Sequence, residues 1–434
     1  MLALLQTVTP PAPAAPITGP LLIAYVLLDV FLIVVLARVL GTLMTKIGQP
    51  RVVGEILAGV LLGPTLLGAT SLVIAPAEAR PVINNLATLA LIMFMFLAGV
   101  EYDLSKVKGR GRQALLLALL AVAVPAALGF PIAKLIHSPD YAGTAGTELL
   151  PFALFIGAAL SVTAFPVMAH ILMERGELNS PMGSLGVATT GIMSVVMFSY
   201  IAFAAAVSAA KGYGDFAAKC GYIVLFGLST WFVVRPLLRK LLPDNPAGPP
   251  VTGNGMAIVF GGMVLFGLIG HVLGIHAMVG GFAFGLVIPT IPRLRQAIAD
   301  KLRDVAMILF LPIFFAVAGF STDLKLLGSR SITAVLLMLA GAIAGKFLAA
   351  VPARGFGLSW REVGILGALF NTRGLLVLVA GLMGLQLKII TVLTFTIIVV
   401  VALVTNLMTL PLLRLFTPAS QEPSMVRGGQ TVGR

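Results

Sequence analysis

Ser161-Val162-Thr163-Ala164-Phe165-Pro166 and Phe370-Asn371-Thr372-Arg373-Gly374 interrupt two long apolar segments, and their position decides the fold. Pro166 has no N–H to donate and frees the carbonyl one helical turn earlier. In the second stretch, three consecutive polar or charged residues fall in mid-membrane, where such groups are costly, and Gly374 permits unwinding. Both stretches therefore predict broken membrane helices. The surrounding composition agrees. Of 434 residues, 59% are apolar and only 10% charged. A soluble domain carries about 25% charged residues, which excludes an ordinary soluble enzyme. At about 20 residues per span plus short loops, roughly a dozen spans fill the chain. No appended soluble domain of ordinary size is expected, because one needs at least about 50 residues. The single cysteine, Cys220, excludes a disulfide framework and a multi-cysteine metal site. The net charge of +13 comes without a long basic run, so it reads as membrane loops and not as nucleic-acid binding.

Apolar runs punctuated by Gly, Pro and charge predict about thirteen transmembrane helices. They span 21–44, 52–68, 83–102, 113–137, 150–173, 182–209, 218–242, 252–273, 275–292, 304–320, 330–352, 361–383 and 389–416. Residues 1–20 are Pro-rich without Lys or Arg, unlike a signal peptide, and are expected to be extracytoplasmic. Residues 417–434 are expected to be a disordered cytoplasmic tail. With the N-terminus outside, cytoplasmic segments hold 19 of the 29 basic residues and the other face holds 7; Arg38, Lys346 and Arg373 lie within spans. That asymmetry places the N-terminus outside and the C-terminus inside.

The chain also repeats itself. Val53-Gly54-Glu55-Ile56-Leu57-Ala58-Gly59 in the second span matches Val279-Gly280-Gly281-Phe282-Ala283-Phe284-Gly285 in the ninth. Ala98-Gly99-Val100-Glu101-Tyr102-Asp103-Leu104 at the end of the third matches Ala318-Gly319-Phe320-Ser321-Thr322-Asp323-Leu324 at the end of the tenth. Each pair lies seven spans apart, so the copies cross in opposite directions. This is the inverted repeat of secondary transporters, whose substrate site lies near the midplane between repeats. The same mapping pairs the fifth span with the twelfth, the two that are interrupted.

Few ionisable residues enter the membrane. Lys346 and Arg373 sit well inside the eleventh and twelfth spans, and Asp29 is the carboxylate in the upper part of the first. A charge at a helix centre costs about 2.5–3.5 kcal/mol on insertion scales, so each is a candidate site residue, with snorkelling or a structural partner as the alternative. Glu55 and Glu101 near cytoplasmic helix ends read as gating or structural residues that cap helices or pair with loop cations. His170, His271 and His276 read as interfacial or core histidines. No metal motif, phosphate loop or nucleophile–His–acid set is present, so no cofactor is expected.

Gln49-Pro50-Arg51-Val52-Val53-Gly54-Glu55-Ile56-Leu57-Ala58-Gly59-Val60-Leu61-Leu62-Gly63-Pro64 resembles the second-helix signature of the monovalent cation:proton antiporter-2 family, which includes plant cation/H+ exchangers and bacterial Kef-type and Nap-type antiporters. Ser161–Val167, Gly274–Phe282 with Gly285–Pro289, Leu311–Ala316 and Asn371–Leu375 are similar to its fifth, ninth, tenth and twelfth helices. The resemblance runs from about residue 21 to 416. It implies a sodium/proton antiporter-like membrane domain, a core and a dimerisation domain moving by alternating access, and a homodimer in membrane lipid. It implies an ion site where two broken helices cross, formed here by Ser161, Thr163, Pro166, Asn371 and Thr372. Lys346 matches the family's basic residue in the eleventh helix, which pairs with a carboxylate in the sixth. The chain departs there. Met193 and Ser194 align with the positions where the family usually has its acidic pair, and Val377 stands where a Glu often follows in the twelfth helix. No Kef-type nucleotide-binding regulatory tail is expected.

Ser194 can offer a hydroxyl oxygen but cannot titrate. Three resolutions stay open: Asp29 replaces the carboxylate, Lys346 carries the proton alone, or Lys346 and Arg373 form a site for an anion. The leading expectation is exchange of Na+ or K+ for protons in the cell membrane by a chain that is not an enzyme. A proton-coupled exporter of an anionic or organic metabolite, and a non-transporting sensor or assembly protein, are the alternatives.

Overall fold

The computed structural model describes residues 19–46, 51–63, 76, 78–101, 111–143, 148–164, 168, 172, 181–209, 213–243, 248–273 and 277–416. Pro166, His170, His276, residues 1–18 of the expected 1–20 segment and the expected tail 417–434 lie outside these, while Gly19 and Pro20 begin α1. The first half contains α1 (Gly19–Lys46), α2 (Arg51–Leu62), α3 (Arg80–Glu101), α4 (Gly111–Ile136), α5 (Leu149–Ser161) and α6 (Pro181–Ala209). Then follow α7 (Tyr213–Ser229), α8 (Arg235–Leu241), α9 (Gly253–Val272), α10 (Ala277–Val287), α11 (Pro292–Val305) and α12 (Leu311–Phe320). The chain ends in α13 (Ser329–Ala350), α14 (Trp360–Phe370), α15 (Leu375–Gln386) and α16 (Val392–Phe416). The protein is all-α; among the described residues, extended pairing amounts to an isolated bridge between Ala142 and Ile390. Nine helical stretches among the described residues are long and apolar enough to cross a bilayer, and four further apolar helices are shorter. Thirteen complete crossings therefore stay an expectation.

One boundary differs clearly from the sequence reading. The tenth span was expected from 304, yet helix begins at Pro292, which starts α11 with the φ and missing N–H that suit a first turn. Leu294, Ile298, Ala299 and Leu302 form its buried stripe, amid Arg293, Arg295, Lys301 and Arg303. The charge density that reads as a loop is one face of an amphipathic helix. The fifth and twelfth spans are interrupted, as expected: α5 stops at Ser161, and α14 and α15 are separate helices.

The inverted repeat is visible as packing. Gly59 of α2 abuts Gly319 of α12, and Gly99 of α3 abuts Gly285 of α10. A Cβ on Gly59 would stand 3.1 Å from Gly319 Cα, and one on Gly99 would stand 2.9 Å from Gly285 Cα. The repeat maps Gly59 onto Gly285 and Gly99 onto Gly319. Each contact is therefore the other with the two copies exchanged, which a pseudo-twofold axis requires. Glycine is needed at these points because the backbones themselves touch.

The helices sort into two bodies by their main contacts. One contains α1, α2, α3, α9, α10, α11 and α12, with α7 and α8 attached through the π-helical turn Thr230–Val234. The other, the core body, contains α4, α5, α6, α13, α14, α15 and α16. The chain passes between them at α3–α4, α6–α7 and α12–α13. Side chains also meet across the boundary: Phe198 of α6 lies on Phe282 of α10, with ring centroids 4.2 Å apart. A cleft lined by Asn84, Leu91, Phe314, Val379 and Met383 separates α3 and α12 from α15.

Candidate functional site

The site is built where α5 and α14 end. After Ser161, Val162 turns the chain extended (φ −62°, ψ 140°). After Phe370, Asn371 caps α14 and Gly374 (φ −142°, ψ −152°) opens α15. The two non-helical segments cross and hold each other. Ala164 N donates to Thr372 O at 2.9 Å, and Thr163 Oγ1 donates to Phe370 O at 2.5 Å. Thr372 Oγ1 donates to Leu369 O at 2.8 Å and reaches Ala164 O at 3.4 Å. A Cβ on Gly374 would lie 2.8 Å from Ala164 Cβ, so the crossing needs glycine there. Irregular backbone at this depth is tolerated because protein groups satisfy it.

A helix C-terminus leaves carbonyls without intrahelical partners and carries partial negative charge. Two cations meet that of α5. Arg373 Nη1 donates to Ala159 O and Nη2 to Leu160 O at 2.8 Å. Lys346 Nζ donates to Ser161 O and, at 2.9 Å, to Ala121 O of α4. The second acceptor has its own cause in the sequence. Pro125 lies four residues after Ala121 and has no N–H, so the Ala121 carbonyl has lost its helical donor. Gly345 lets α13 approach this point, since a Cβ there would stand 2.9 Å from Pro125 Cα. Ser161 Oγ donates to Val122 O at 2.8 Å and ties α5 to the same turn of α4. Lys346, Arg373, Ser161, Asn371 and Thr372 are all fully buried, and Thr163 is 3% exposed.

Among the described residues, no carboxylate faces these cations. The seven helices of the core body hold one acidic residue among the described residues, Glu362, whose side chain closes the capping box of α14 with Ser359. Buried charge is usually paired with opposite charge; here backbone dipoles take that role. Asp29 does not replace the missing carboxylate. It is buried on α1, whose main contacts are with α2, α12 and α3 in the other body, and the charge acting on it is that of Arg80. The reason is local: Asp29, Ile33, Ala37 and Gly41, at four-residue spacing, form the one buried stripe of an otherwise lipid-exposed helix. Glu55 pairs with Arg51 at 3.7 Å, and Glu101 with Arg303 of α11 at 2.6 Å, both away from the crossing.

Ser194 is half-buried and donates to Thr190 O of its own helix at 3.0 Å. The fully buried polar groups of α6 are Thr189 and Thr190, one turn earlier. Sequence reasoning missed these, as well as Pro125 and Asn406, whose Oδ1 accepts from Arg373 N at 2.8 Å. Pro125 had a readable signal, a proline within an apolar span facing a lysine-bearing one. Asn406 and the two threonines had none, because a single polar residue in an apolar helix does not reveal its neighbour.

The geometry can be set beside known proteins. Residues 31–415 match the family model described as sodium/hydrogen exchanger, transmembrane. The chain belongs to the sodium/hydrogen exchanger family. It is thus a multi-pass membrane protein of a family of transporters, not of enzymes. The chain is 34% identical to the Na(+)/H(+) antiporter NhaS4 of Synechocystis sp., over 91% of its own length and 97% of that relative. It is 32% identical to cation/H(+) antiporter 18 of Arabidopsis thaliana, over 91% of its length and 49% of that relative. It is also 32% identical to K(+)/H(+) antiporter 1 of Saccharomyces cerevisiae, over 86% and 44%. The chain spans about half the length of these plant and yeast exchangers. The sodium proton antiporter MjNhaP1 of Methanocaldococcus jannaschii has the same fold, with a TM-score of 0.66 at 15% identity over 91% of this chain and 98% of that one.

Proposed function

We propose that this exchanger moves a monovalent cation, Na+ or K+, against protons, with Lys346 as the group that gives up and takes back the proton. The observation that carries this reading is that Lys346 and Arg373 are buried together on the C-terminal carbonyls of α5 with no carboxylate beside them among the described residues. An arginine stays protonated at any accessible pH, whereas a lysine can titrate. When Lys346 is charged, its ammonium repels a second cation. When it is neutral, a monovalent cation can occupy the crossing, where unwound carbonyls and helix C-termini are its natural ligands. One positive charge then replaces another, so binding of the cation and of the proton exclude each other. The relatives' antiporter names favour this reading over an anionic-metabolite exporter or a sensor. No cofactor enters the cycle. The two-body packing supports movement of the core body against the other, and we extend the reading to a homodimer in the cell membrane, with the N-terminus outside, which the distribution of basic residues favours.

The test is a dye-reported pH-gradient assay in proteoliposomes, scanned across Na+, K+, Li+ and Rb+. Cation-dependent dequenching above that of empty liposomes is the expected result. Its absence for all four cations, with folded protein in the membrane, would refute the reading.

A further inference from the structure

The helical stretch Ala217–Leu241 joins α7, the π-helical turn and α8, and it is the least buried of the nine that can cross a bilayer among the described residues. Leu228, Phe232, Val233 and Leu237 are exposed along it. Lipid suits such a surface, yet its end carries charge. Arg235, Arg239 and Lys240 follow within two turns in α8, and none of them has an ion pair among the described residues. Arg239 and Lys240 are exposed and Arg235 is half-exposed. Arg235 and Arg239, four residues apart, are neighbours on the helix surface, and like charges at that spacing repel.

Arg235 is held back from the water. Its guanidinium carbon lies 4.0 Å from the ring centroid of Trp231, one turn earlier in the chain. Helical side chains lean towards the N-terminus of their helix, and the stack on Trp231 fixes the guanidinium in that direction. Leu241 ends the span, so that direction leads into the bilayer, whereas a long cationic side chain near a helix end usually snorkels out of it. Tryptophan rings sit at headgroup level. The chain has two, Trp231 in the second half of the seventh span and Trp360 at the start of the twelfth. These spans run in opposite directions, so both rings belong to the same side of the membrane. Arg235 stands about 9 Å before the helix end, at the border of hydrocarbon and headgroups. A cation fixed there, with a second one turn nearer the water, calls for an anion supplied by the membrane.

We infer that Trp231, Arg235, Arg239 and Lys240 form a docking site for the phosphate headgroup of an anionic phospholipid, whose acyl chains cover the exposed apolar side chains of α7 and the π-helical turn. The fork of a guanidinium matches a phosphate in bidentate fashion, and an ammonium adds a point charge. Basic clusters next to membrane helices hold anionic headgroups in this way. Trp231 itself belongs to the π-helical turn Thr230–Val234, a rare distortion that is frequent at functional sites. A second copy of this chain is the poorer occupant, because at +13 it brings more cations than anions. The site involves neither the crossing nor the exchange of ions, so it stands apart from the antiport reading.

The experiment titrates the full chain in detergent with phosphatidylglycerol or phosphatidylcholine of matched acyl chains and counts bound lipid by native mass spectrometry. Wild type is expected to bind about one phosphatidylglycerol, about tenfold more tightly than phosphatidylcholine. Arg235→Gln should remove that preference, and Trp231→Leu should weaken phosphatidylglycerol binding about threefold. Arg235→Lys should fall between Arg235→Gln and wild type, because an ammonium keeps the charge but not the fork. Arg330→Gln is the control: it removes the same charge at the start of α13, on the other membrane face, and should keep the preference. Equal binding of the two lipids by wild type, an undiminished preference in Arg235→Gln and Trp231→Leu, or an equal loss in Arg330→Gln would each overturn the site. Displacement of the lipid by inorganic phosphate at equal concentration would also overturn it, by assigning the cations to a free anion. Asp244 is the acidic residue nearest in sequence. If Asp244→Asn tightens phosphatidylglycerol binding about tenfold or more, the cluster is neutralised within the chain and the lipid reading fails. Should Arg235→Gln aggregate, Arg239→Gln replaces it, with a loss of about threefold expected.

Discussion

The two bodies share close glycine packing, as at Gly129 against Gly157 in the core body, but differ in what else their central contacts hold. In the first, α2 meets α12 and α3 meets α10 through glycines, with backbone on backbone and no charge at the contact. In the core body, α4, α5, α13 and α14 converge on two fully buried cations and a knot of hydroxyls and carbonyls. Between helices in lipid, close van der Waals packing and interhelical hydrogen bonds do the holding, because lipid tails are as apolar as the side chains. The glycine contacts use the first means and leave nothing to titrate. The crossing uses the second and leaves groups whose charge can change. The first body also buries Asp29 and Glu55, so the contrast belongs to these contacts and not to the buried residues of each body as a whole.

The sharpest way to break this comparison is to add bulk to the glycine contacts. Gly319→Leu must push its side chain into the Gly59 backbone, and Gly285→Leu into that of Phe96 and Gly99. Overpacking a core usually costs about 1–3 kcal/mol, and more where backbone must move. Both variants are expected to give no folded protein on detergent size-exclusion chromatography. Because the repeat exchanges the two contacts, both should fail; a well-folded Gly285→Leu beside an aggregated Gly319→Leu would contradict the symmetry.

Next in size are the cations. Lys346→Ala is expected to lower cation-dependent flux at least about 100-fold while the protein still folds, since catalysis of exchange is lost with the titrating group. Arg373→Lys should leave a smaller defect, about tenfold, because one ammonium cannot serve the Ala159 and Leu160 carbonyls in the fork geometry of a guanidinium. If Arg373→Lys proves the more damaging, the titrating role belongs to the wrong residue.

The smallest effects sharpen the boundary of the site. Ser194→Ala removes a hydroxyl bonded to its own helix and is expected to change flux by less than about twofold and stability by about 1 kcal/mol or less. Arg303→Ala breaks the exposed pair with Glu101, which ties α11 to α3, and should cost less than about 1 kcal/mol in thermal unfolding.

Much of this organisation was legible in the sequence. Pro and Gly with clustered polar residues mark the interrupted spans because they forbid or weaken the helical ladder, and the glycine-rich matches at 53–59 and 279–285 betray the repeat. Lys346 and Arg373 stood out because charge in lipid needs a reason. What the sequence did not reveal is who meets whom. Asp29 is a buried carboxylate like any other until its helix is seen to pack in the other body. Ser194 lies only a turn from Thr189 and Thr190, yet a helical turn changes the surroundings of a hydroxyl completely. The Ala121 carbonyl becomes a ligand only because Pro125 and Lys346 come together from spans far apart in the chain.

Proton release on cation binding tests the role of Lys346 most directly. Purified protein in weakly buffered detergent is titrated with the transported alkali cation, and the pH change is read. Wild type is expected to release about one proton per chain at saturation, and Lys346→Arg none, because arginine keeps its proton. Undiminished release from a folded, cation-binding Lys346→Arg would show that the proton comes from elsewhere.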